Sequence, residues 1–258
     1  MKKMILIGGG ENGRILENGK ATPYETEIMD KEIIKLSIKK RPNYLFINHA
    51  MSFSDKIQEE YYQTMKRIYK DKFGCNCKDL KSYELNNIDI VNEKLDWADI
   101  IYEGGGDTET MIALWKKTGF DKKLYNAFLS GKVISGISAG AVCWFNECNS
   151  ESDSAFKTVK CLNWFDLFIT PHCDEKGRYE STKEQLKQTN KIGLMLSNRS
   201  AIEIVDDKYR ILFSDDVDDK NHPYVIKAYW ENGIYKEKYI TNTSEFLPLN
   251  ELLTKDIL

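Results

Sequence analysis

Apolar residues fall along this chain in short blocks with two spacings. Met4-Ile5-Leu6-Ile7, Tyr44-Leu45-Phe46-Ile47, the block at 99–103 and Val133-Ile134 through Ile137 are nearly continuous apolar runs closed by glycine or polar residues. That length and content suit strands buried on both faces. Between them, Ile57, Tyr61, Met65, Ile68 and Tyr69 recur three and four apart over residues 54–72. This predicts an amphipathic helix with Ser54 as its cap. Further helices are predicted over 25–39, 91–98, 108–117 and 121–130, and a third strand over 78–85. Strand and helix alternate, so the fold class is α/β: a mostly parallel, doubly wound, flavodoxin-like sheet with helices on both faces. Ligands in such sheets sit beyond the carboxyl ends of the strands. The loop from Gly8, Asn48-His49, the loop from Gly104 and Ser138 would all lie on that edge.

After Ser138 the pattern loosens. Residues 146–157 are polar and acidic and read as a loop; 167–170 are a short strand leading into Pro171-His172-Cys173-Asp174-Glu175. A polar segment over 177–191 turns helical at its end, and a strand follows at 201–205. Residues 209–213, 225–230 and 235–240 read as a C-terminal antiparallel meander, with Asn232-Gly233 as a hairpin turn. Asp218-Asp219-Lys220-Asn221 reads as a polar loop and 243–258 as a surface tail. Neither a linker nor a repeat is seen, so residues 1–258 are expected to form a single domain.

The net charge is −3 and no basic stripe is present, so nucleic acid is not an expected partner. The longest apolar runs are strand-sized, far below the ~18 residues of a membrane span. The apolar part of the N-terminus ends after four residues, too short for a secretory core, which points to a cytoplasmic protein. Six cysteines show no paired spacing with histidine, so they read as reduced structural thiols and no metal is expected. Gly8-x-Gly10-x-x-Gly13 has the spacing of a dinucleotide fingerprint. That motif also needs a helix opening at once and a carboxylate ending the second strand. Pro23 delays the helix here and the second strand ends in Asn48-His49, so no cofactor is expected.

The candidate chemistry centres on Gly136-Ile137-Ser138-Ala139-Gly140, a Gly-x-Ser-x-Gly stretch running from a buried strand into small residues. This is the pattern of a nucleophile elbow, in which a strained turn lifts the serine above the sheet. The Ala139 N–H, at a helix start, has no intrahelical partner and can face an oxyanion. A second backbone donor fits Gly104-Gly105-Gly106, where missing Cβ atoms let the backbone approach. A serine nucleophile needs a base. Of three histidines, His172 after the 167–170 strand ranks first and His49 second.

Residues 100–108, Gly136-Ile137-Ser138-Ala139-Gly140-Ala141 and Thr170-Pro171-His172, in that order, resemble the peptidase E family of serine hydrolases over roughly residues 4–215. The family is related to cyanophycinase and shares the class I glutamine amidotransferase fold. The resemblance implies Ser138 as nucleophile, His172 as base, and Gly106 and Ala139 as oxyanion donors in hydrolysis of small peptides or amides through an acyl-enzyme. Gly105, Asp107 and His49 are candidate substrate-binding residues on the same edge. The family's third triad member is a glutamate in the turn before the 201–205 strand. Here that turn, Leu196-Ser197-Asn198-Arg199-Ser200, has no carboxylate. Asn198, Glu203, Asp174 or Glu175 could take the role, or the triad is incomplete. The family arginine that reads an N-terminal aspartate aligns with Lys183. Two other readings stand beside this one: an acyl hydrolase for a non-peptide substrate, and a weakly catalytic protein binding a small ligand. The stretch 161–165 is either core or a homo-oligomer interface.

Overall fold

A computed structural model describes residues 1–52, 54–152, 155–214, 222–241 and 244–255. In chain order the elements begin β1 (Lys3–Ile7), α1 (Glu27–Leu36), β2 (Asn43–Ile47), α2 (Asp55–Lys66), β3 (Asn76–Leu80), α3 (Ile88–Trp97) and β4 (Ile100–Glu103). Next come α4 (Thr108–Thr118), α5 (Phe120–Leu129), β5 (Val133–Ile137), α6 (Ala139–Val142), β6 (Phe145–Ser152), β7 (Ala155–Lys160) and β8 (Phe165–Thr170). The chain continues with α7 (Arg178–Thr189), β9 (Gly193–Leu196), β10 (Ser200–Val205), β11 (Lys208–Phe213), β12 (Val225–Glu231), β13 (Ile234–Ile240), β14 (Leu247–Pro248) and α8 (Asn250–Leu253).

The larger sheet has the order β14-β11-β10-β1-β5-β4-β2-β3. The five strands from β1 to β3 in that order run parallel, and β10, β11 and β14 add an antiparallel edge. The continuous apolar run of β1 follows from burial on both faces. Met4 and Leu6 point to a core shared with α3, α4 and α5, whereas Ile5 and Ile7 point to a second core under α1 and α2. Ser54 caps α2 as expected, its side chain accepting from the Ile57 N–H, and the helix loosens into a wider turn over Arg67–Lys72.

A second sheet, β13-β12-β9-β8-β6-β7, packs against the first across the larger core. The polar stretch expected as a loop over 146–157 is instead most of the β6–β7 hairpin, with Cys148 opposite Val159. Its polar character reflects an edge hairpin with one exposed face. The three strands expected as one meander divide between the sheets. β11 pairs with β10, whereas β12 and β13 pair with each other and dock on β9. Asn232 and Gly233 both have positive φ in the β12–β13 turn, as a tight hairpin requires. The 243–258 tail carries β14 and α8 among its described residues. The Asp218–Asn221 loop lies outside the described residues. Trp164, from the 161–165 stretch, stacks on Phe128 and contacts Trp144, which places that stretch against the core. No helix among the described residues is long and apolar enough to cross a membrane.

His49 belongs to this core. It is wholly buried, its Nδ1 accepts from the Trp115 Nε1–H at 2.9 Å, and its Nε2–H donates to the Leu80 carbonyl at 2.8 Å. Burial holds its pKa down at about 4, with the Leu80 bond opposing. The folded ring therefore stays neutral while the unfolded ring titrates near 6.5. Its contribution to stability is present above about pH 6.5 and is lost as pH falls towards about 4. Asp30, buried and raised to about 6, works in the opposite sense. Its contribution is common to wild type and a His49 variant. The destabilisation caused by His49→Gln, measured by urea unfolding, is therefore expected to shrink by about 2 kcal/mol between pH 7.5 and about pH 5. An equal cost at both pH values would contradict this.

Candidate active site

The site sits at the end of β5. Ser138 has φ 54° and ψ −117°, a conformation strained for a residue with a side chain. Its N–H donates to the Ile7 carbonyl at 3.0 Å, so β1 holds the base of the turn. A Cβ on Gly136 would stand 2.4 Å from the Gly140 oxygen, and one on Gly140 would stand 2.2 Å from the Glu103 oxygen. The two flanking glycines are thus required by close packing of β5, α6 and β4 around the strained serine. Glu103 itself is fully buried, its Oε1 accepts from the Ala50 N–H at 3.2 Å, and burial pushes its carboxyl well above the usual range.

His172 follows β8 and also has positive φ, 50°. Its Nε2 lies 2.9 Å from Ser138 Oγ and its Nδ1 lies 2.7 Å from Asn198 Oδ1. Asp174 then fixes Asn198: the backbone N–H donates to Oδ1 at 2.7 Å and Nδ2 donates to Oδ2 at 3.3 Å. Only the amide nitrogen can donate to a carboxylate, so the amide oxygen must face the histidine. His172 Nδ1 is then the protonated nitrogen, and Nε2 is free to accept from the Ser138 hydroxyl. Glu175 Oε1 also approaches Nδ1, at 3.5 Å.

The loop after β1 closes over this chain. A Cβ on Gly9 would lie 2.1 Å from Asn198 Oδ1 and 2.2 Å from His172 Nδ1. The Gly8 carbonyl accepts from the His172 N–H at 3.2 Å, and the Gly9 carbonyl accepts from the Arg199 N–H at 2.9 Å. Gly9 was legible only as a member of a glycine triplet after a strand. Its actual requirement is contact with a hydrogen bond formed by residues far along the chain. The loop is tied down by Tyr24, whose hydroxyl donates to buried Asp30 at 2.8 Å.

Gly105 faces the serine from the β4–α4 loop, and Gly106 beside it lines the same cavity as Ser138. A Cβ on Gly105 would be 3.4 Å from Ser138 Cβ, and Gly106 has φ 145° with its missing Cβ 2.5 Å from the Ala50 oxygen. Two cavities open at Ser138 and His172. One of about 520 Å³ runs under the first loop past Arg14, Ile57 and Tyr61 to Gly105. The other, of about 350 Å³, runs past Gly106 and Ala139 to Glu151, Glu175 and Arg178. Burial raises the Tyr61 hydroxyl to about 12, so it remains a neutral phenol. Neither Arg178 nor Glu151 belongs to a motif that marks it in the sequence.

Ser138, His172, Asn198, Gly105, Gly106 and Ala139 are thus brought together, and four other candidates are placed elsewhere. Glu203 is buried within β10, where its Oε2 accepts from Arg210 Nε at 2.6 Å; burial raises its pKa and Arg210 opposes this. It pairs with Ile5, two positions below the strand end that carries the site. His49 is engaged in the core. Asp107 caps α4, its Oδ1 accepting from the Thr110 N–H at 2.6 Å, and does not line either cavity. Lys183 turns to the far side of α7, with Nζ 4.5 Å from the Tyr235 ring centre.

Comparison with known proteins gives a consistent picture. The sequence model of peptidase family S51 matches residues 4–212. The Bacillus subtilis (strain 168) protein named uncharacterized peptidase YgaJ is 30% identical over 179 residues, covering 69% of this chain and 72% of that protein. The crystal structure of a peptidase from an acI-B1 Actinobacterium superposes with a TM-score of 0.71 at 20% identity, over 96% of this chain and 97% of the other. A candidate peptidase E protein from Listeria monocytogenes EGD-e superposes with a TM-score of 0.59 at 19% identity, over 83% and 98%.

If Gly9 is needed for the His172–Asn198 contact, Gly9→Ala should slow labelling of Ser138 by a fluorophosphonate by about a hundredfold while the fold is retained by circular dichroism. Unchanged labelling would show that the loop can move aside.

Proposed function

Given that the chain belongs to peptidase family S51, we propose that it is a serine peptidase of the peptidase E type that hydrolyses small peptides through an acyl-enzyme on Ser138. The observation that carries this reading is the continuous hydrogen-bonded chain Ser138–His172–Asn198–Asp174 at the end of a parallel strand.

Ser138 Oγ attacks the scissile carbonyl carbon while His172 Nε2 takes its proton. The carbonyl oxygen becomes an oxyanion, held by the N–H groups of Gly106 and Ala139. The intermediate collapses as the imidazolium returns the proton to the leaving amine, which departs and leaves an ester on Ser138. A water molecule then gives its proton to Nε2 and attacks the ester. Collapse of the second intermediate releases the acid and restores the serine hydroxyl.

Asn198 does the orienting work that a carboxylate does elsewhere. Replacing an orienting aspartate by asparagine is damaging where the amide can turn its N–H to the histidine and force the wrong tautomer. Asp174 blocks that orientation here, because it must receive the amide N–H. The negative charge that stabilises the imidazolium comes from one bond further away, at Asp174, and from the nearby Glu175.

Three variants test this. Ser138→Ala should abolish turnover of a dipeptide panel. Asn198→Ala should lower kcat by about a hundredfold or more, since the base loses its orienting partner. Asp174→Ala should lower kcat by roughly tenfold with little change in KM, since it acts through Asn198. Turnover that survives in Ser138→Ala would contradict the acyl-enzyme. An Asp174→Ala effect confined to KM would contradict the orienting role.

A further inference from the structure

The catalytic steps leave a buried acid without a part. Glu103 ends β4 and is wholly enclosed beside the elbow. Its backbone supports the elbow: Cβ atoms on Gly136 and Gly140 would lie 2.7 and 2.2 Å from its carbonyl oxygen. Its side chain reaches the turn after β2, His49–Met51. There Oε1 accepts from the Ala50 N–H at 3.2 Å, and the His49 and Gly104 N–H groups are directed at the same carboxyl. That turn holds the loop opposite the serine. The Ala50 carbonyl accepts from the Asp107 N–H at 2.9 Å, and the Gly106 backbone lies so close that a Cβ on it would stand 2.5 Å from the Ala50 oxygen. One residue earlier, a Cβ on Gly105 would be 3.4 Å from Ser138 Cβ. Asn48 and Tyr61 pack on the same loop at Gly104, but the Asn48 amide makes no hydrogen bond among the described residues. Burial pushes the Glu103 carboxyl well above the usual range, the backbone N–H groups oppose this, and no cation is among the groups that act on it. Glu103 is thus a neutral acid, with Oε2 unpartnered among the described residues. An unpaired buried polar atom is costly. What the carboxyl supplies in return is an acceptor for a turn whose first N–H groups have no helical partner.

We propose that Glu103 is a positioning residue for the oxyanion loop: its carboxyl fixes Ala50, and Ala50 in turn fixes Gly105 and Gly106 beside Ser138. The inference rests on Ser138 being the nucleophile and on Gly106 being an oxyanion donor. Gly104-Gly105-Gly106 has no side chains of its own and wide backbone freedom, so its direction must be imposed from outside. Backbone N–H groups stabilise an oxyanion when they are aimed at it before the reaction begins. Gly106, at φ 145°, has no Cβ to hold that conformation, and the contacts with Ala50 hold it instead. A neutral acid suits this place better than a carboxylate. Full negative charge beneath the loop would oppose the charge developing on the substrate oxygen. A carboxyl or a carboxamide offers the same acceptor oxygen without that opposition.

The test follows labelling of Ser138 by a fluorophosphonate over a range of concentrations, because the phosphoryl oxygen of the reagent takes the place of the oxyanion. Wild type, Glu103→Gln and Glu103→Leu are compared, with the fold checked by circular dichroism. Glu103→Gln keeps a neutral acceptor and should label within about twofold of wild type. Glu103→Leu keeps the bulk and loses the acceptor. Its maximal labelling rate should fall by about tenfold or more, while the half-saturating concentration stays within about twofold. Glu103→Asp withdraws the acceptor from Ala50 by one methylene, and it replaces Glu103→Leu, with the same expected loss, if that variant fails to fold. A folded Glu103→Leu or Glu103→Asp that labels like wild type would overturn the positioning role. Glu103→Gln as slow as Glu103→Leu would also overturn it, because the acid would then act by its charge. Wild type that does not label at all would remove the nucleophile reading, and this inference with it.

Discussion

The site depends on one strained turn. Ser138 cannot adopt positive φ at the end of β5 without cost, on the order of 1–3 kcal/mol for such a residue. The surroundings hold it there by several independent contacts. Its N–H is bonded to β1, its carbonyl accepts the Ala141 and Val142 N–H groups of α6, and the glycines at 136 and 140 let the backbones of β4 and α6 close in on either side. The strain is thus paid by the sheet. What it secures is the direction of one side chain: Oγ stands above the strand ends, where loops from β1, β4, β8 and β9 converge.

Those loops supply the rest of the proposed site by backbone as much as by side chain. Asn198 lies in a turn held by the Ser197 hydroxyl, which accepts from the Tyr224 N–H, and by the Arg199 N–H bonded to Gly9. His172 is held by the Gly8 carbonyl on one side and Asn198 on the other. A neutral amide can serve as the orienting partner in such a frame because its direction is imposed from behind by Asp174. The arrangement separates two tasks that a single carboxylate often performs together. Asn198 sets the tautomer, and the acids behind and beside it supply the field.

Much of this was legible in the sequence, and the parts that were not share a cause. The parallel strands and their helices announced themselves through periodicity, and the elbow through its glycines. His172 could be ranked above His49 from chain position, but the burial of His49 under Trp115 depends on packing that no local pattern encodes. The β6–β7 hairpin looked like a loop because an edge hairpin with a wet face carries few apolar residues. Glu203 was a reasonable third member from position alone; the strand register, which sets it opposite Arg210, removed it. Gly9 and Arg178 were missed because their meaning lies in contacts with residues over a hundred positions, or some two dozen positions, away.

In the proposed mechanism the Ser138–His172–Asn198–Asp174 chain fixes His172 as a base with its proton on Nδ1. Nitrogen-15 NMR of histidine-labelled protein near neutral pH reads this directly, with His172→Gln to assign the signals. The chain has three histidines, and buried His49 provides an internal contrast because its proton must lie on Nε2. The expected result is an Nδ1–H tautomer for His172 and an Nε2–H tautomer for His49. An Nε2–H tautomer at His172 would mean that Asn198 presents its N–H to the ring, and the proposed route for the serine proton would be wrong.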